Sequence, residues 1–95
     1  MTVAKAEDWA IHPLPDTYTT LKLDILLSEE KSEAIKRGVI PEEMEEKWFC
    51  YSHNNTLYQH RSWTGNCIDV IEFNTEGSQL RAISVKVNRD PEQYS

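Results

Sequence analysis

The spacing of apolar and polar positions changes along the chain, and it divides the molecule into two halves. In the first half, "TTLKLDILL" alternates Leu21, Leu23 and Ile25 with Lys22 and Asp24, the two-residue period of a strand or of a tucked extended segment. Leu26 and Leu27 break that alternation and equally suit the approach to a helix. Ser28 follows as an N-cap, with Glu29 and Glu30 in the first turn, where they face the positive end of the helix dipole. Ala34 and Ile35 supply an apolar face, Lys36 and Arg37 suit the last turn, and Gly38 stops the helix. Beyond "GVI", Pro41 at the first helical position of "PEEMEE" predicts one further turn, so residues 28–46 read as the helical part.

The second half is patterned as strands. "KWFCYSH" and "TLYQH" flank Asn54 and Asn55, which tolerate the positive φ of a tight hairpin turn. "CIDVIEF" and "LRAISVKV" are rich in Val and Ile, and the "NTEGS" between them carries Gly77. The predicted fold is α+β: an antiparallel β-meander of about four strands over residues 47–88, with one short helix packed on a face. Residues 1–20 form an extended lead-in, since the two prolines of "HPLPD" forbid regular helix, and residues 89–95 form a tail. Strand three has apolar residues at both parities, Ile68 and Val70, then Ile71 and Phe73. That suits a central strand covered on both sides, and the N-terminal segment is available as the second cover.

Length and composition add limits. A chain of 95 residues makes a single small domain, and 39% apolar with 27% charged residues is an ordinary globular balance. The longest apolar stretch is interrupted by Lys22 and Asp24 and cannot cross a bilayer as a helix. "MTVAKAEDW" has neither the basic start nor the apolar run of a secretory signal, so a cytoplasmic setting is expected, with Cys50 and Cys67 as reduced thiols.

Charge changes the picture more. A net charge of −6 argues against a nucleic-acid binder, which needs clustered Lys and Arg to neutralise phosphates. The acids are unevenly placed, however. Residues 1–46 carry a net −6, residues 69–95 a net −2, and the stretch Lys47 to Ile68 carries Lys47 and Arg61 with no Asp or Glu at all. Five of the nine aromatic residues, Trp48, Phe49, Tyr51, Tyr58 and Trp63, fall in that window together with His53 and His60. An anion can dock there without meeting carboxylates.

Within the window, "HRSWTG" collects groups suited to phosphate or carboxylate. Arg61 offers paired donors, Ser62 and Thr64 offer hydroxyls, Gly65 permits close backbone approach, and Trp63 presents a ring for stacking. The candidate ligand-binding set is Lys47, Trp48, Tyr58, His60, Arg61, Ser62, Trp63, Thr64 and Gly65. Strand alternation puts Tyr58, His60 and Ser62 on one face and Leu57, Gln59, Arg61 and Trp63 on the other, so a bend near Ser62 is needed to join Arg61 to His60. The alternative is a structural turn whose Trp caps the core and whose Arg meets a surface carboxylate.

Other chemistry is less well supplied. Cys50, His53, His60 and Cys67 are zinc-type ligands, but their C-x2-H-x6-H-x6-C spacing matches no familiar knuckle, and the cysteines read as small core residues. Ser62 has no close base of suitable geometry, and Cys67 has no obvious helix N-terminus to activate it, so no catalytic set is assigned and no cofactor or metal is called for.

"IPEEMEEKWF", "LYQHRSWTGNCI" and "VNRDPEQY" together resemble a small, functionally unassigned family of bacterial and phage proteins with a K-W-F … L-Y-x-H-R-S-W-T-G core. The similarity covers roughly residues 40–94, and relatives continue past "DPEQY" into a helical tail. Because such proteins occur near others that handle ADP-ribose derivatives, the resemblance implies a nucleotide-like ligand. The expected function is non-enzymatic binding and sequestration of a small phosphorylated nucleotide of ADP-ribose type, as a phage sponge against host immune signalling. Neither nucleic acid nor membrane is expected as a partner. A homo-oligomer with the site between subunits is a further expectation, since so short a chain has little room for a deep pocket. The competing expectation is an acidic interaction module, an inhibitor or immunity-type protein whose Glu42, Glu43, Glu45 and Glu46 meet a basic partner surface.

Overall fold

The structure, a computed structural model, describes residues 4–40 and 46–90. After a single 3-10 turn at Ala6–Asp8 come β1 (Tyr18–Leu26), α1 (Glu29–Arg37), β2 (Trp48–His53), β3 (Thr56–Arg61), β4 (Cys67–Glu76) and β5 (Gln79–Asn88). The strands form one antiparallel sheet in the order β1-β5-β4-β3-β2. The α+β class therefore stands, but the sheet has five strands rather than about four. The extra one is the alternating "LKLDI" segment, which joins the far edge of β5 from Tyr18↔Asn88 to Leu26↔Arg81. Its strand period was plain in the sequence; its pairing to a strand some sixty residues later was not, because periodicity names no partner.

Local signals explain the turns and the helix. Asn54 and Asn55 both take positive φ, 50° and 58°, and close the β2–β3 hairpin, while Gly77 does the same for β4–β5. At the start of α1 the Ser28 hydroxyl accepts from the Lys31 backbone N–H at 3.2 Å. At its end Gly38 takes a φ of 72° and donates to the Ala34 carbonyl at 3.1 Å. The chain then leaves the helix, as the Gly38 stop predicts, and Val39 exchanges both backbone hydrogen bonds with Cys50 at 2.9 Å in an isolated β-bridge. The further turn expected at Pro41 lies outside the described residues.

The sheet is covered on both faces. On one, Cys50, Leu57, Phe73, Leu80 and Ala82 form the main apolar cluster, closed by Ile35 of α1 and by Leu23, Leu27, Trp48 and Ile71. Full burial of a Leu or Phe contributes about 1.5–3 kcal/mol, so these few residues supply much of the cohesion of so small a domain. Ser32 ties α1 to the sheet: its hydroxyl donates to the Ser28 carbonyl at 2.8 Å and accepts the Leu80 N–H at 2.9 Å, wholly buried. The opposite face carries Phe49, Tyr51, Tyr58, His60, Cys67 and Val70, and the N-terminal segment lies across it. Trp9 stacks on Phe49 with ring centroids 5.8 Å apart, and the His12 N–H donates to the Gly65 carbonyl at 2.9 Å. Among the described residues, no helix is long and apolar enough to cross a membrane.

Candidate functional site

The octapeptide "HRSWTGNC" forms the end of β3, a tight loop and the start of β4. The loop closes through Gly65 N–H to Arg61 O at 2.7 Å and Arg61 N–H to Asn66 O at 2.9 Å. Gly65 has a φ of 76° and sits against the Ala10 carbonyl so closely that a Cβ would collide with it.

The nine candidate residues do not line one hollow. Arg61 stays on the helix side of the sheet, its guanidinium 5.2 Å from the ring centroid of its cross-strand partner Trp48. Ser62 is buried and donates its hydroxyl to the Glu46 carbonyl at 2.7 Å, while its backbone N–H donates to the Lys47 carbonyl at 2.8 Å. Trp63 is 73% exposed. The Thr64 hydroxyl accepts the Asn66 N–H at 3.2 Å, a local turn contact. Lys47 is exposed. Tyr58 and His60 are on the other face, beneath the N-terminal segment. The strand ends at Arg61, before any bend that would unite guanidinium and imidazole, so alternation divides the set as the sequence pattern indicated.

Tyr58 and His60 instead join residues that the sequence reading left out. Cross-strand pairing sets Tyr51 beside Tyr58 and Phe49 beside His60. The two tyrosine rings stack at 4.9 Å, and Tyr51 stacks on His60 at 5.8 Å, nearly parallel at 12°. With Phe49 and Trp9 this makes a continuous row of rings. Trp9 is anchored at its polar end by an Nε1–H bond to the Ser62 carbonyl at 2.8 Å. Its position 53 residues before Ser62 left no local signal of that contact.

Two cavities share Tyr51 and Tyr58 as a wall. One, of about 280 Å³, is roofed by residues 11–14 and bounded by Tyr51, Tyr58, His60 and Cys67. The other, of about 380 Å³, is more polar and is lined by Lys5, Glu7, Ser52 and His53. Each alone is near the lower limit for a drug-sized ligand, and the pair lies within the usual range. Neither is lined by Lys47, Trp48, Arg61, Ser62, Trp63, Thr64 or Gly65.

His60 is 2% exposed. Its Nδ1 lies 3.0 Å from the Gly65 carbonyl, which can only accept, so Nδ1 carries the proton and Nε2 carries the lone pair. Burial depresses its pKa against the opposing effect of that hydrogen bond, with the nearby His12 lowering it further, and the ring is held neutral. Nε2 is buried and has no hydrogen-bond partner among the described residues.

Burial, and secondarily the Asp69 charge, pushes the Cys67 thiol up to about 12 and the Cys50 thiol up to about 11, so neither is an activated nucleophile. Cys50 belongs to the helix-side cluster while Cys67 faces the ring cavity. No group of three His, Cys, Asp or Glu suited to a metal occurs among the described residues. Comparison of the chain with protein-family models, curated proteins and solved structures returned no match in any of the three.

Proposed function

We propose that this domain is a non-enzymatic binder of a small phosphorylated nucleotide of ADP-ribose type, which it sequesters unmodified, as a phage sponge against host immune signalling. We place its site on the ring-lined face under the N-terminal segment, not around Arg61. The observation that carries this reading is the pair of cavities sharing Tyr51 and Tyr58. The smaller has aromatic and apolar walls suited to a ring system. The larger offers Lys5, His53 and the Ser52 hydroxyl to a phosphate, with Glu7 as the one acid on its rim. Both cavities are built by one chain, so the reading does not require a second subunit. Two protonated, buried thiols favour capture over nucleophilic catalysis by cysteine.

Isothermal titration with ADP-ribose and cyclic ADP-ribose isomers tests the reading. One of them should bind, be recovered chemically unchanged after the protein is denatured, and bind at least tenfold more weakly to Tyr58→Ala. Heat traces that stay flat for every nucleotide, with capture of a basic partner protein that weakens as salt rises, would transfer the function to the acidic-module reading.

A further inference from the structure

We infer that His60 Nε2 is the recognition atom of the smaller cavity, where it accepts an N–H or O–H from a planar, uncharged ring such as an amino-substituted nucleobase. This rests on the small-molecule reading above and names the part of the ligand that enters first. The Gly65 carbonyl accepts from both the His60 Nδ1–H and the His12 N–H. One backbone oxygen thus fixes the imidazole tautomer and latches the segment that roofs the cavity. With Nδ1 committed, Nε2 offers only a lone pair, and nothing among the described residues donates to it. A buried acceptor left in this state is costly, and a ligand that donates to it recovers what folding forfeits.

The surroundings select the rest of the ligand. Tyr51 lies nearly parallel to His60, so a flat ring entering beside them finds stacking surface, and Val70 and Leu14 exclude charge. A volume of about 280 Å³ admits one bicyclic ring and not a whole dinucleotide. A ring that presents only acceptors meets the Nε2 lone pair and is rejected, because it leaves two buried acceptors facing each other. Nε2 has no exposed surface of its own, so the roof must lift for contact to form. Between the Trp9 anchor on Ser62 and the bond from the Arg89 N–H to the Thr17 carbonyl, the His12–Gly65 bond is the latch to be opened.

The test uses the intact protein with nitrogen-15 histidine and two probes, adenosine and purine riboside, which differ only in the 6-amino group. Adenosine should bind, move the His60 Nε2 resonance upfield as it becomes a hydrogen-bond acceptor, and bind at least tenfold more tightly than purine riboside. Equal affinity of the two nucleosides, an unmoved Nε2 resonance, or no adenosine binding at millimolar concentration would each overturn the inference. Adenosine carries no phosphate, so the two readings fail separately. ADP-ribose binding with Nε2 unmoved removes the His60 role alone. Adenosine discrimination without any gain for ADP-ribose removes the phosphate role of Lys5 and His53 alone.

Discussion

Asp69 stands in β4 at the middle of the sheet, registered opposite Gln59 of β3 and Val87 of β5. Its Oδ1 is buried with no hydrogen-bond partner among the described residues, and burial lifts its pKa from the ordinary carboxylate range to about 6. The folded state therefore holds this proton more tightly than the unfolded chain does. The resulting stability is fully present below about pH 4 and is lost as pH rises through about 6. Raising this carboxyl from its ordinary range to about 6 corresponds to roughly 3 kcal/mol at most, and because the residue is only half-buried, solvent screening reduces this to about 1–2 kcal/mol. Asp69→Asn keeps the shape and removes the charge. Urea denaturation at a series of pH values should give equal stability for the two proteins near pH 4 and an advantage of about 1–2 kcal/mol for the variant near pH 7.5. Comparing variant with parent cancels the titration of the other carboxylates. An offset that does not change with pH, or a variant less stable at pH 7.5, would refute the assignment of a desolvated charge to this position.

Other expectations follow from single contacts. Ser32→Ala leaves the buried Leu80 N–H without its acceptor and should cost about 1–3 kcal/mol in a denaturant melt, with the fold otherwise kept by circular dichroism. Gly65→Ala combines a φ of 76° with a collision at the Ala10 carbonyl and should cost at least about 2 kcal/mol, with the loss of the slow amide exchange expected at His12. Both thiols should react with a disulfide reagent at pH 8 far more slowly in the native protein than after unfolding, and rapid native labelling at Cys67 would show the ring-lined face to be open.

What the sequence made legible was local. The Ser28 cap, the Gly38 stop, the Asn54–Asn55 turn and the Gly77 turn each follow from backbone preferences of one or two residues, and each is where it was expected. Alternation along β3 also separated Tyr58 and His60 from Arg61 correctly. The pairing of β1 with β5 and the seating of Trp9 on Phe49 depend on residues far apart in the chain, so no periodicity could announce them. The ring row had a partial signal, since Phe49 and Tyr51 share a parity within "KWFCYSH". Charge pointed to Arg61, whose guanidinium lies beside Trp48 on the other face of the sheet. The tautomer of His60 was beyond reach from sequence, because it is set by a carbonyl that only the folded loop delivers.

The central claim is that ligand is captured on the Tyr51–Tyr58–His60 face beneath the N-terminal segment, and its most direct test is an amide and aromatic chemical-shift titration with ADP-ribose. Saturable shifts should concentrate at Lys5, residues 11–14, Tyr51, Tyr58 and His60, with Lys47, Arg61 and Trp63 little changed. Shifts gathered around Arg61 and Trp48 with a silent His60, or no saturable shifts at all, would contradict it.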